Sequence, residues 1–468
     1  MAVEPDTQQA DHQAYFLTVA VENVRCFRKE QAVDFSDGEG RPARWTILLG
    51  NNGVGKTTLL QALATLRPDP EALRVDHGLE PFVRPVWGFD WRPYAHVHEI
   101  ETLSARIRAS LRFAPRIDAR IGTRSNAEIV YLQEDAGAPE FAQASPEQLP
   151  NEGFYTSHVF AYGAYRRLPS NSLANEPSGP VASLFDSDAR LINAEDWFLQ
   201  RDYAANNPRL SDEMRRQAAT SRDLVASVLK AILLDVEALE PFVVDARSGT
   251  TELRAKTPDG MVRVSHLGLG YQSTLAWVVD LAARMVAAYP ESPNPLAEPA
   301  VVLVDEIDIH LHPSWQRVLL QELSQRFPNV QFIATAHSPL IVQGAEDVNV
   351  AVLRREGDHV VIDKAPESVR HWRVDQILTS DLFGLPTARP PALDAKFKRR
   401  EALLKKETLS AKDRAELERL REEIAAQPGG ESPSLLEAEE ILLELTRERA
   451  SDARVKKKPR AAVRSKPR

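Results

Sequence analysis

The stretch GNNGVGKT, residues 50–57, follows the apolar run RWTILLG and opens into TTLLQALATL. The first flank is rich in β-formers and predicts a strand; the second holds good helix formers and stops before Arg67-Pro68. Strand, glycine loop and helix in that order are the context that gives the pattern G-x4-G-K-[ST] its meaning. Gly50, Gly53 and Gly55, with Asn51, Asn52 and Val54 between them, let backbone N–H groups turn inward around a polyphosphate. The helix start at Lys56, Thr57 and Thr58 adds its positive dipole end. Lys56 is then placed to reach the β and γ phosphates of ATP, and the Thr57 hydroxyl to ligate Mg2+. A chance glycine-rich turn is the alternative, and the lysine, the paired threonines and both flanks argue against it.

A loop of this kind needs a second strand that ends in a carboxylate near the metal. VVLVDE, residues 301–306, supplies one: a continuous apolar run, as expected for a strand covered on both faces, followed by Asp305 and Glu306. Asp305 is read as the metal-side acid. Glu306, one residue on, is expected to point elsewhere because side chains alternate at a strand's end, and so to polarise the attacking water. The next buried strand, VQFIATA, residues 330–336, leads into His337, which can hydrogen-bond a γ phosphate; a capped strand end without a ligand is the other reading.

IDIHLHP, residues 307–313, sets Asp308, His310 and His312 two apart. A metal cage uses that spacing, yet no nearby Cys/His partner set is present and Pro313 starts a helix at once. A solvated or interface-facing histidine pair is the alternative. SHLGLGYQST, residues 265–274, places Gly268 and Gly270 before a helix, where N–H groups can meet a phosphate.

At 468 residues with 43% hydrophobic side chains, the chain can bury one large core or two ordinary ones. A net charge of -9 argues against a body that coats nucleic acid, so any such contact is local. The single cysteine, Cys26, forms no internal disulfide, and the first residues lack a secretory pattern, so a cytoplasmic location is expected. No segment is long and clean enough for a bilayer, so no membrane partner is expected.

An α/β fold follows from the strand and helix alternation. Residues 1–67 and 261–390 are read as two lobes of one ATPase head, and residues 68–260, polar and dotted with proline, as an insertion of mixed α and β. Residues 391–450 read as a charged helical appendix, with helices expected near 393–406, 411–426 and 434–449. Residues 451–468 read as a basic disordered tail; functionless solvated tail and a DNA, RNA or acidic-partner contact stay as alternatives.

GNNGVGKTT, LGLGYQS, VVLVDE with IDIHLHP, and ATAHSP, in that order, resemble the P-loop ABC-type ATPase head of the RecF, SMC and OLD groups. The resemblance implies two subunits sandwiching ATP, with Gly268 to Gly270 acting on the partner's phosphate loop and His310 to Pro313 lining the seam. FAYGAYRR, VASLFDSDARLINAEDWF and ILTSDLFGLPTARPP resemble the Septu and retron-linked ATPases of bacterial antiphage defence, up to about Gln427. That likeness implies a homodimer or larger homo-oligomer working with a separate effector, commonly a nuclease.

The chain departs from the pattern in places. Gly268 stands where the signature LS-x-G carries serine, and Gln61 and Gln133 are poor candidates for the Q-loop glutamine. No acid run after His337 resembles a Toprim centre, so no nuclease activity is expected in this chain. A transporter subunit is disfavoured by the core LGLGYQ, far downstream of the phosphate loop. A RecF-like repair ATPase and an ATP-locked scaffold with little turnover remain alternatives.

Overall fold

The computed structural model describes residues 12–68, 105–114, 116–118, 126–133, 140–144, 155–166, 176–233, 235–245, 250–344, 348–365, 369, 371–406, 409–427, 434, 437, 438 and 441. The chain divides into two compact units, Met1–Phe383 and Gly384–Arg468. The first begins with β1 (His12–Glu22), β2 (Gln31–Asp34), β3 (Trp45–Gly50), α1 (Lys56–Thr65), β4 (Ala105–Ala114), β5 (Asn126–Gln133), β6 (Glu140–Ala144), β7 (Tyr155–Thr156) and β8 (Val159–Tyr162). It continues with α2 (Ala194–Asn206), α3 (Asp212–Ile232), β9 (Ala238–Asp245), β10 (Thr250–Thr257), β11 (Gly260–Arg263), α4 (Leu269–Ala288) and β12 (Ala300–Val304). Completing it are α5 (Pro313–Gln316), α6 (Leu319–Arg326), β13 (Val330–Thr335), α7 (Pro339–Gln343), β14 (Val348–Glu356), β15 (His359–Lys364) and α8 (Val374–Thr379).

Five of these strands form a parallel sheet in the order β14-β3-β13-β12-β8, and β15 adds antiparallel to β14. Every residue of β12 and β13 is buried, as expected for strands covered on both faces. Alternate side chains separate into two cores. Val302, Val304, Phe332 and Ala334 pack with residues of α2, α3, α4 and α6. Val301, Leu303, Ile333 and Leu48 pack with α1 and an antiparallel sheet ordered β2-β1-β4-β5-β6.

Described residues between 105 and 255 contribute to both cores. β4 pairs with β1, β8 is the outer strand beside β12, and α2 and α3 cover one face. β1 stops at Glu22, because Asn23 (φ 52°) and Arg25 (φ 48°) turn left-handed and Val24 pairs with Phe27. The helix that Pro313 starts comes as two pieces, α5 and α6. Its break lies where Gly344 closes on the Arg317 carbonyl; a Cβ at Gly344 would sit 2.5 Å from that oxygen.

In the second unit, α9 (Pro391–Leu404) and α10 (Ala411–Ala425) bury Leu403, Leu404, Leu417 and Leu420 against each other. The cap at Ser410 and Asp413 forms reciprocally, as its spacing predicts. Nearly all of the third expected helix and the whole basic tail lie outside the described residues. Among the described residues, no helix is long and apolar enough to cross a membrane.

One half-buried histidine should make this body sensitive to acid. His158, at the head of β8, packs edge-on against Tyr289 at 4.8 Å, and burial pulls its pKa down to about 4. It is neutral in the fold and protonates first in the unfolded chain, whose value is about 6.5. The associated stability is present above about pH 6.5 and declines as the pH falls towards 4. Wild-type protein should lose up to about 3 kcal/mol more than His158→Gln across that window, read from urea midpoints. Equal pH responses would exclude His158 as the cause.

Candidate active site

Four neighbouring parallel strands carry the site at their carboxyl ends, where an open α/β sheet holds its ligand. β3 leads into the glycine loop, β13 into His337, β12 into Asp305, and β8 into the turn that bears Arg166. The loop adopts backbone shapes that glycine favours: Gly53 lies at φ 75° and Gly55 at φ 87°, the latter capping α1. At Gly50 a Cβ would meet the Leu353 carbonyl oxygen. Val54 is buried in the core, so it anchors the loop.

Asn52, Gly53, Gly55, Lys56, Thr57 and Thr58 line a cavity of about 250 Å³. Asp305, Glu306 and His337 face it from the neighbouring strands, together with Cys26 from the turn after β1. Thr57 donates from its hydroxyl to Asp305 Oδ2 at 2.8 Å. The Lys56 ammonium folds back onto the carbonyls of Gly50 and Asn51, at 2.7 and 3.0 Å. Burial lowers the Lys56 pKa, while Asp305, Glu306 and Asp308 pull it the other way.

Asp305 is held on both oxygens, because Thr335 at the end of β13 donates from its hydroxyl to Oδ1 at 2.6 Å. The same hydroxyl accepts the Glu306 N–H at 2.7 Å. Glu306 does not part from Asp305 by strand alternation. β12 ends at Val304, and Glu306 stands in a left-handed turn, φ 48°, that leaves both carboxylates on one cavity. Asp308 is buried and accepts the His337 N–H at 2.9 Å, so its task here is to hold the end of β13.

His312 caps α5, its Nδ1 accepting the Ser314 N–H at 3.3 Å, and His310 is exposed at φ 61°. Among the described residues no group of three or more His, Cys, Asp or Glu side chains is arranged to hold a metal. Gly268 and Gly270 do not join the cavity of their own chain. Gly268 is exposed at the N-cap of α4, beside Leu269, itself 67% exposed. Gly270 packs on the other motif: a Cβ there would lie 2.3 Å from the His310 carbonyl oxygen.

Gln61 is buried within α1, donating to the Leu184 carbonyl and accepting from Arg25, and does not line the cavity. The side chain of Gln133 lies outside the described residues. Sequence reasoning missed Arg166, Thr335 and the cavity position of Cys26. The paired arginines after a strand and a glycine turn were the visible signal for Arg166; for Thr335 and Cys26 nothing local stood out. Arg166 is buried against the backbone carbonyls of Asp305 and Glu306, and desolvation pulls its pKa down to about 10, partly offset by Asp305, Glu306 and Asp308.

A glycine loop between a buried strand and a helix, with carboxylates arriving two strands along a parallel sheet, defines the P-loop ATPase class. The chain belongs to the family described as "AAA domain, putative AbiEii toxin, Type IV TA system", whose model matches residues 46–343. A second AAA domain model matches residues 18–66.

Among curated proteins, the Septu protein PtuA of Bacillus mycoides (strain KBAB4) is 26% identical over 88% of this chain and 51% of its own length. The retron Vc95 probable ATPase of Vibrio cholerae serotype O1 biovar El Tor is 24% identical over 70% of this chain and 71% of its own. The retron Ec83 probable ATPase of Escherichia coli is 38% identical over 27% of this chain and 22% of its own. The chain thus spans about half the length of the PtuA relative. Among solved structures, an SMC head bound to the C-winged helix domain of ScpA matches with TM-score 0.43 at 14% identity, covering 75% of this chain and 97% of that one. The SMC head domain from Thermotoga maritima matches at TM-score 0.38 and 12% identity, covering 75% and 99%.

Proposed function

We propose that this chain binds and hydrolyses ATP, dimerises around the nucleotide, and controls a separate effector, a nuclease, in bacterial antiphage defence. The observation that carries the hydrolytic part is the Thr57–Asp305 hydrogen bond at 2.8 Å, with Lys56 and Glu306 on the same cavity. The loop amides and Lys56 bind the polyphosphate, and releasing Lys56 from the Gly50 and Asn51 carbonyls frees its donors for the γ phosphate. Glu306 takes the proton of the attacking water, and His337 reports the γ phosphate at the cavity rim.

The donors suit Mg2+: a hydroxyl and a carboxylate, both hard oxygen ligands, meet at Thr57 and Asp305. When bound there, Mg2+ neutralises charge on the β and γ phosphates. Dimerisation is supported by the exposure of Gly268 and Leu269 away from their own cavity, where a second subunit's phosphate loop has access to them. The defence context and the separate effector are carried over from the resemblance to Septu and retron-linked ATPases, to whose members the chain is similar. We propose no nuclease activity for the chain itself.

A second reading, a dimer locked by ATP with little turnover, is favoured by Gly268, which brings no hydroxyl to the signature loop. Phosphate release by the purified chain, together with light scattering with and without ATP, separates the two. Lys56→Ala should weaken binding of a fluorescent ATP analogue about 10- to 100-fold, the worth of a charge-assisted hydrogen bond to phosphate. Unchanged affinity would mean that the loop does not grip the nucleotide. Phage protection that survives Lys56→Ala at normal expression would remove ATP from the defence role.

A further inference from the structure

Taking Glu306 as the base that activates water, we propose that Arg166 is the positioning residue that locks its backbone and so aims its carboxylate. The chain leaves β8 at Tyr162 and passes Gly163, where a Cβ would lie 2.1 Å from the Ser183 carbonyl oxygen. The Ser183 hydroxyl accepts the Gly163 N–H at 3.4 Å and donates to the Ala161 carbonyl at 3.0 Å. This anchorage directs the Arg166 side chain inward, where the residue is only 5% exposed.

Its guanidinium donates from one terminal nitrogen to the Asp305 carbonyl at 2.8 Å and from the other to the Glu306 carbonyl at 2.7 Å. Those carbonyls belong to the two peptide planes that flank the Glu306 Cα. A rigid fork holding both planes fixes the rotation between them. Thr335 pins the opposite edges: its hydroxyl accepts the Glu306 N–H at 2.7 Å, and its carbonyl the Ile307 N–H at 2.9 Å.

Such pinning is needed because Glu306 sits at φ 48°, where a side-chain-bearing residue rests only under restraint from its surroundings. Arg166 does not line the nucleotide cavity, so it acts through Glu306 and not on the nucleotide. A lysine offers a point charge in place of the planar fork and reproduces the restraint only in part.

The test measures full-length Arg166→Ala and Arg166→Lys for kcat, KM and equilibrium binding of a fluorescent ATP analogue. Arg166→Ala should lower kcat about 100-fold, as misplacing a catalytic group by an ångström does, with KM and affinity unchanged and Arg166→Lys in between. Added to Glu306→Gln, Arg166→Ala should cause no further loss, since both act through one carboxylate. A rise in KM with kcat preserved, or losses that multiply, overturns the proposal. A crystal structure of the alanine variant gives a readout independent of turnover: Glu306 should leave the left-handed region, and retention of φ near 48° overturns the proposal. If the alanine variant does not fold, the lysine variant carries the same measurements. Wild-type protein that releases no phosphate would sink the hydrolytic reading, and the crystal structure would still decide the role of Arg166.

Discussion

Glu306→Gln is expected to cut turnover about a thousandfold, within the range general base catalysis supplies, while nucleotide binding stays intact. That factor corresponds to about 4 kcal/mol of barrier. Glutamine matches the shape of glutamate and keeps the backbone contacts of residue 306 to Thr335 and Arg166. Asp305, the expected metal ligand, retains both of its hydroxyl partners. The variant therefore removes the basicity and little else. Phosphate release and analogue affinity measured side by side check it. A parallel fall in affinity would mark Glu306 as a nucleotide or metal ligand, and turnover within tenfold of wild type would mean that another group activates the water.

The second large effect concerns stability. Asp280, in the middle of α4, is fully buried and accepts from the Tyr162 hydroxyl at 2.9 Å, the Arg284 Nε at 2.6 Å and the Ile192 N–H at 2.7 Å. Asp280→Ala strands all three donors, one of them a largely buried cation, and should cost about 3–5 kcal/mol. Asp280→Asn keeps the shape and an acceptor, and should cost less. Urea unfolding followed by tryptophan fluorescence measures both; an alanine variant within about 1 kcal/mol of wild type would show that the network relaxes around the loss. The same contacts tie α4 to β8, whose Tyr162 carbonyl accepts the Asp305 N–H at 2.8 Å. Lower turnover in Asp280→Asn at unchanged stability would show that this link also carries function.

Much of the parallel sheet and its glycine loop is legible in the sequence. The phosphate loop is read from glycines because its turns are local, and positive φ at Gly53 and Gly55 is a property of those residues alone. β12 and β13 announce themselves as unbroken apolar runs, because burial on both faces leaves no room for polar residues. α1 and the Ser410 cap likewise follow from neighbouring residues. β4 carries a local signal too: Arg106 is exposed while Ile107, Ala109 and Leu111 are buried, the alternation of a strand with one covered face. Its partner β1 lies far back in the chain, so the pairing leaves no mark in the local sequence.

What the residues determine by themselves is chemistry and local shape: a glycine loop between strand and helix, strands that must be covered, and acids at a strand's end. The tertiary structure alone decides relations across the sheet, among them the left-handed stance of Glu306, the Arg166 fork beneath it, the Asp308 hold on His337 and the closure of Gly270 on His310. Those depend on which strand lies beside which. Strand order is set by long-range burial and pairing, and neither leaves a mark in a short stretch of sequence.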